Sequence, residues 1–103
     1  METPIVAQLK SGSPQLAADV FLYPDEGRNK LLGWGCLCCP SKSSPVFGYD
    51  GWPLLGDTTL SPGERRKLGF VFLNGEESVD ALREAGKFYL WEGRFVGEAA
   101  VIP

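Results

Sequence analysis

The stretch that decides the fold is Lys87–Ile102, which reads KFYLWEGRFVGEAAVI. Two runs rich in aromatic and apolar residues flank the dipeptide Glu92-Gly93. Glycine as the second residue of a two-residue connection suits the positive φ of a type I′ turn. The sequence therefore predicts a β-hairpin that turns at Glu92-Gly93.

Pairing outward from this turn gives the hairpin one apolar and one polar face. The predicted pairs are Trp91–Arg94, Leu90–Phe95, Tyr89–Val96, Phe88–Gly97 and Lys87–Glu98. The apolar face is predicted to line a core, and it carries Phe88, Leu90, Phe95, Ala99 and Val101. The other face has a Trp–Arg pair and a Lys–Glu pair, which suit contact with solvent.

Length and composition indicate one globular domain. The chain has 103 residues, 44% hydrophobic and 22% charged, enough to bury about two-thirds of the unfolded surface. We expect residues 1–15 to be a loosely ordered lead-in and residues 16–103 to form a single β-barrel domain. The sequence has neither a long apolar span nor a secretory signal, which predicts a cytoplasmic protein without a membrane contact.

The rest of the chain follows a strand-and-turn pattern. Alternating apolar residues predict strands over 16–23, 31–39 and 67–73, with Leu68, Phe70 and Phe72 facing inward. Residues 47–55 read as weakly structured, and Ser61-Pro62-Gly63-Glu64 reads as a type II turn. Asn74 followed by Glu77 resembles a capping box, and the short helix after it presents Val79 and Leu82 and ends at Gly86. The pattern predicts a small antiparallel barrel or sandwich with one short helical turn.

Catalytic and metal-binding chemistry has little support in the sequence. The chain has no histidine, which removes the commonest general base. A strand here places Cys36 and Cys38 on one face and Cys39 on the other, so the three thiols do not converge. We interpret them as small buried side chains, with a redox or metal role as the alternative. No phosphate-binding glycine loop is present. We therefore predict neither an enzyme nor a cofactor or metal site.

Aromatic and basic residues are the candidate binding groups. Tyr89, Trp91 and Arg94 on the outer face of the hairpin, together with Trp52, are candidates for a protein interface, because aromatic residues and arginine dominate interface hot spots. The alternative is cation–π pairing that only covers the sheet. The basic run at residues 65–67 reads as a solvated turn or as a contact for phosphate or an acidic partner.

Three motifs in order give the chain a family resemblance. Residues 88–97 look like the last hairpin of the third domain of elongation factor Tu, a C-terminal β-barrel. Pro62-Gly63-Glu64 resembles that domain's Pro-Gly-acid turn before a hydrophobic strand, and Asp25-Glu26-Gly27-Arg28 resembles the acidic-Gly-Arg turn after its first strand. The agreement in order and spacing covers about residues 16–102. The resemblance implies an all-β fold, a small six-stranded antiparallel barrel of Greek-key type.

The departures from this family change what the resemblance implies about function. The family's second strand carries Gly-Tyr-Arg-Pro-Gln, whereas this chain has Gly33-Trp34-Gly35-Cys36, and the 103 residues contain no GTPase domain. We expect a non-enzymatic protein-interaction module that binds a protein partner or a second copy of itself. The alternative is an RNA- or tRNA-binding module that acts through a basic patch of Arg28, Arg65, Arg66 and Lys67, although a net charge of −3 disfavours nucleic acid as a partner.

Overall fold

The described residues form a closed barrel of six antiparallel strands and one α-helix. The computed structural model describes residues 14–24, 35–55 and 58–103. Its elements are β1 (Leu16–Leu22), β2 (Cys36–Cys39), β3 (Tyr49–Pro53), β4 (Arg65–Phe72), α1 (Gly75–Ala85), β5 (Lys87–Trp91) and β6 (Phe95–Val101).

The strand order is that of a Greek key. Around the barrel the strands run β1-β4-β3-β2-β5-β6, and β6 pairs with β1 to close it. The consecutive strands β2, β3 and β4 form a meander, and β1 lies beside β4 rather than beside β2, which is a Greek-key arrangement. The predicted all-β fold, a six-stranded antiparallel Greek-key barrel with one short helix, is confirmed.

Inward-facing residues of the strands build the core. Strand β1 alternates between buried and half-buried residues over its whole length. On β4, Leu68, Phe70 and Phe72 face inward as predicted. The Phe70 ring packs on Phe72 at 6.1 Å and edge-on against Phe88 at 5.4 Å. These rings fill the centre of the barrel. The inward-facing apolar side chains of the strands therefore make up its core.

One core position requires glycine because another ring occupies its space. Gly51 on β3 faces inward, and a Cβ atom there would lie 2.7 Å from Cε1 of Phe72. The Phe72 side chain is fully buried and has no free space to move into. Strand β3 thus approaches β4 closely because it lacks a side chain at this point.

The register of the β5–β6 hairpin differs from the predicted one. Leu90 lies opposite Gly97 and Trp91 opposite Phe95, so Val96 is the extra residue of a β-bulge. The connection is longer than two residues, and positive φ occurs at Gly93 (79°) and at no non-glycine residue among those described. The type I′ turn at Glu92-Gly93 was therefore a wrong prediction.

The bulge also moves Phe95 out of the core, where we had placed it. Phe88 and Leu90 do point inward, as predicted, and Val96 is buried with them. Phe95 instead packs edge-on against Trp91, which lies on the outer face of β5. An extra residue changes the face to which every residue on its far side points, because side chains alternate along a strand. The predicted Lys87–Glu98 pair survives as a diagonal ion pair, Nζ to Oε2 at 2.7 Å.

Two other segments differ from prediction in detail. Residues 49–53 form β3, although the Gly and Pro residues around them suggested weak structure. The side chain of Asn74 makes no N-cap bond to the helix backbone and instead donates from Nδ2 to Oε2 of Glu77 at 2.8 Å. The helix ends as predicted at Gly86, whose φ of 75° is left-handed and whose N–H donates to the Leu82 carbonyl at 2.9 Å.

The turn before β4 has the predicted geometry. The N–H of Glu64 donates to the Ser61 carbonyl at 2.9 Å, and Gly63 has a φ of 84°. This is the position at which a type II turn requires positive φ.

Several predicted features lie outside the described residues. These are the turn at residues 25–30, the first part of the predicted strand 31–39, and residues 1–13 of the proposed lead-in. Next to them, Gln15 donates its N–H to Phe70 at 2.8 Å and accepts from the N–H of Phe72 at 2.7 Å. Within the described ranges, the helix lacks the length and apolar character needed to cross a bilayer.

Candidate functional site

A row of aromatic side chains lies on the outside of the barrel where β5 and β6 meet. Because Phe88 and Leu90 point into the core, the alternate residues Tyr89 and Trp91 point outward. The β-bulge brings Phe95 onto the same side. Its ring lies 5.0 Å from that of Trp91 and 6.2 Å from that of Tyr89, both edge-on.

Tyr23 extends this row toward β1. Its backbone N–H donates to the Val96 carbonyl at 2.9 Å, which fixes the residue beside β6 just after β1 has ended. Phe21 on β1 packs edge-on against the Tyr23 ring at 6.0 Å. We call Tyr23, Tyr89, Trp91 and Phe95 the aromatic face. All four side chains are half-buried, so each ring keeps part of its surface open to solvent.

Polar groups border the aromatic face. The carboxylate of Glu98 accepts a hydrogen bond from Lys87 Nζ, which is the main reason that the pKa of Glu98 is lowered. The Tyr23 hydroxyl also donates to Glu98 and lowers that pKa further. The same ion pair raises the pKa of Lys87.

Lys42 lies directly over these rings. It belongs to the exposed segment that follows β2. Its Nζ lies 5.1 Å from the centroid of Tyr23, 5.1 Å from that of Tyr89 and 5.6 Å from that of Phe95. All three distances are within the range of about 6 Å in which a cation interacts with the π-system of a ring. One ammonium group therefore contacts rings from three parts of the barrel, while Lys42 as a whole stays exposed.

The structure divides the four residues predicted as an interface. Tyr89 and Trp91 belong to the aromatic face. Arg94 lies in the exposed connection between β5 and β6, next to Phe95 rather than across from Trp91. Trp52 faces outward on β3, where a Cβ atom at Gly35 would lie 3.2 Å from its indole ring. Strand β2 lies between β3 and β5, so the backbone of the strand that carries Trp52 is about 10 Å from that of β5.

The basic residues at the start of β4 do not form one patch. Arg65 pairs with Asp19 at 3.8 Å and lies over the Phe21 ring at 5.1 Å. Arg66 points to the other side of the strand and donates to Glu64 and Thr58. Lys67 is exposed on the same side as Arg65. Arg28, the fourth residue of the predicted patch, lies outside the described residues.

The three cysteines are buried in the barrel wall. Cys36 and Cys38 belong to the core cluster, and Cys39 is fully buried on the other side of β2. Burial is the main reason that the pKa of Cys38 is raised, and a hydrogen bond with the Cys36 thiol adds to this. Burial likewise raises the pKa of Cys39. The described residues contain no group of His, Cys, Asp and Glu side chains that could hold a metal ion.

Three members of this site escaped the sequence analysis. The alternation of β1 put Tyr23 on the outer face, which was a usable signal. Phe95 could not be predicted, because the alternation of apolar residues does not indicate the bulge that turns its side chain outward. Lys42 could not be predicted either. It lies in a loop that is distant in sequence from the β5–β6 hairpin, and loop residues show no hydrophobic periodicity.

Comparison with known proteins identifies no relative of this chain. No family model, no curated protein and no solved structure matches the chain. The function of the aromatic face must therefore be inferred from its own geometry and chemistry.

Proposed function

We propose that this chain is a non-enzymatic protein-interaction module and that the aromatic face is its contact surface. The observation that carries the proposal is the placement of four half-buried rings on the outer wall of a barrel whose core is already filled. These rings are not needed to fill the interior, and the parts of them that Lys42 leaves open offer aromatic surface to a partner.

The chemistry of the face suits protein contact. Tyrosine and tryptophan give large contact areas with little loss of conformational entropy, and they are enriched in binding hot spots. Trp91 lies at one end of the row, where the exposed connection that carries Arg94 begins, and a Lys–Glu pair lies at the other end. An apolar centre with a charged rim is the usual anatomy of an interface.

The absence of histidine and the burial of all three thiols support a non-enzymatic role. General-base and nucleophilic catalysis use these side chains most often, and a buried thiol with a raised pKa is a poor nucleophile. We also propose that the barrel is related to the third domain of elongation factor Tu. The Greek-key order and the glycine turns at Gly63 and Gly93 support this relationship.

The test is partner capture with a variant of the face. The double variant Trp91→Ala/Arg94→Ala removes the exposed end of the row but no residue of the core. Immobilised wild-type protein should retain a defined partner from extracts of the native cell, identified by mass spectrometry, or should dimerise in light scattering. The double variant should lose that retention or dimerisation while its circular dichroism and thermal midpoint stay near those of the wild type.

Leu73→Ala is the matched control. Leu73 is 63% exposed and follows β4, outside the aromatic face, so its removal also deletes exposed apolar surface. Retention by this control should equal that of the wild type. If the folded double variant captures the same partners as the wild type, the aromatic face is not the contact surface.

A further inference from the structure

The rings of Tyr23, Tyr89 and Phe95 form a cage around an ammonium group. We call these three residues the aromatic cage. Each belongs to a different part of the barrel wall: Tyr23 directly follows β1, Tyr89 lies in the middle of β5 and Phe95 lies at the start of β6. Lys42 Nζ lies within 5.6 Å of the centroids of all three rings, and Lys87 Nζ lies 5.5 Å from that of Tyr89.

The walls of the cage are fixed by the sheet. Tyr89 and Phe95 pack edge-on, with an interplanar angle of 77°. Tyr23 is held at its backbone by Val96 and at its hydroxyl by Glu98. Glu98 places a carboxylate at the edge of the cage, which adds electrostatic attraction for a cation. Two of the three rings therefore belong to regular strands, and the third is held beside β6 by its backbone hydrogen bond.

The group inside is less firmly held than the walls. Lys42 extends from an exposed segment without regular secondary structure. Its ammonium is a compact and strongly hydrated charge, and such a charge loses hydration when it is enclosed by rings. An alkylated ammonium is more weakly hydrated, and aromatic cages recognise such groups. An external ligand of this kind would compete favourably with Lys42.

We propose that the aromatic cage binds an alkylated ammonium group, the methylated lysine side chain of a protein partner, and that Lys42 occupies the cage as an internal substitute in the free protein. The inference rests on the proposed function, because Trp91 continues the cage into the aromatic face at 5.0 Å from Phe95. A partner bound to that face would present its side chain beside the cage.

The test is a titration with a minimal probe, N-acetyl-trimethyllysine amide, followed by two-dimensional NMR of the aromatic ring protons. Resonances of Tyr23, Tyr89 and Phe95 should shift on binding. Lys42→Ala should bind the probe about threefold to tenfold more tightly than the wild type, because removal of the internal occupant leaves the cage open in every molecule.

Two controls show whether the interaction is cation–π binding in this cage. A neutral analogue with carbon in place of the quaternary nitrogen should bind at least about tenfold more weakly. Lys42→Ala/Tyr89→Leu keeps apolar volume but removes one ring face, and it should lose the affinity gained by Lys42→Ala. Phe95→Leu in the Lys42→Ala background repeats this test if the Tyr89 variant does not fold.

Several outcomes would overturn the proposal. These are equal affinity for the charged and neutral probes, ring shifts away from the aromatic cage, and no binding by folded Lys42→Ala. The variant Trp91→Ala/Arg94→Ala retains the cage and should still bind the probe. If this variant no longer captures the partner but still binds the probe, partner capture depends on Trp91 and Arg94 whereas probe binding in the aromatic cage does not. If the probe fails while wild-type capture depends on Trp91, only the cage is wrong.

Discussion

At the scale of single residues, Glu64 connects the turn before β4 to the strand. Its Oε1 accepts from the Ser61 N–H at 3.1 Å, and its Oε2 accepts from Arg66 Nε at 3.1 Å. Arg66 in turn donates to Oγ1 of Thr58 at 2.7 Å. The backbone hydrogen bond from Ser61 is the main cause of the lowered pKa of Glu64, and the hydrogen bond from Arg66 adds to it. One carboxylate thus organises both ends of this turn.

The lowered pKa predicts a pH dependence of stability. A carboxylate with a lower pKa in the folded state stabilises the protein above its unfolded pKa, and this contribution is lost as pH falls through the folded value. We expect the free energy of unfolding of the wild type to fall between about pH 5 and pH 3, and Glu64→Gln to show a shallower fall. Urea unfolding at several pH values measures this. Glu84→Gln, an exposed change on α1, should keep the wild-type slope; identical slopes for the wild type and Glu64→Gln would contradict the assignment.

At the scale of elements, α1 is joined to the barrel by a narrow apolar stripe. Val79 and Leu82 are buried in the same cluster as the strand residues, whereas Asp80 on the same helix is exposed. The helix is 11 residues long, too short to be stable alone in water. Its stability therefore comes from this contact with the barrel.

Leu82→Ala should test that dependence. Leu82 is fully buried, so its truncation removes apolar contacts and leaves a cavity, at a cost of about 2–5 kcal/mol. Urea unfolding should show a lower midpoint with an unchanged slope. Asp80→Ala is the matched control on the exposed side and should change stability by less than about 0.5 kcal/mol. A small effect of Leu82→Ala would mean that the helix contributes little to the core.

At the scale of the whole molecule, packing on both sides of β2 protects the thiols. Strand β2 lies between β3 and β5 and carries all three cysteines, whose exposed fractions are 5% or less. A reagent can reach Cys36 and Cys38 only when the wall opens, and it can reach Cys39 only when the packing on the outer side of β2 opens. Burial also keeps the thiolate of Cys38 and of Cys39 disfavoured, because it raises their pKa.

Thiol labelling should therefore report barrel opening. Iodoacetamide at about pH 8 should label the native protein far more slowly than a free thiol, and all three cysteines should react in denaturant. Ser43→Cys adds a thiol in an exposed loop and should label at once, as a control for reagent activity. Fast modification of Cys36 or Cys38 in the native protein, identified by mass spectrometry, would show that the wall is open at β2.

The sequence by itself determined the features that depend on neighbouring residues. Alternation along β1 and β4 set the inward faces, because side chains of a strand point alternately to its two sides. The turn at Pro62-Gly63 and the helix end at Gly86 followed from the positive φ that glycine permits. Tyr89 and Trp91 were placed correctly on the outer face for the same local reason.

Only the tertiary structure decided how distant parts meet. The single-residue bulge at Val96 shifted the hairpin register and turned Phe95 outward, and no local pattern distinguishes this register from the predicted one. Placement of Lys42 among rings from β1, β5 and β6 depends on barrel closure, which brings residues far apart in the chain to one surface. The candidate site is therefore a product of strand order and register, and these are fixed by packing across the whole barrel rather than by adjacent residues.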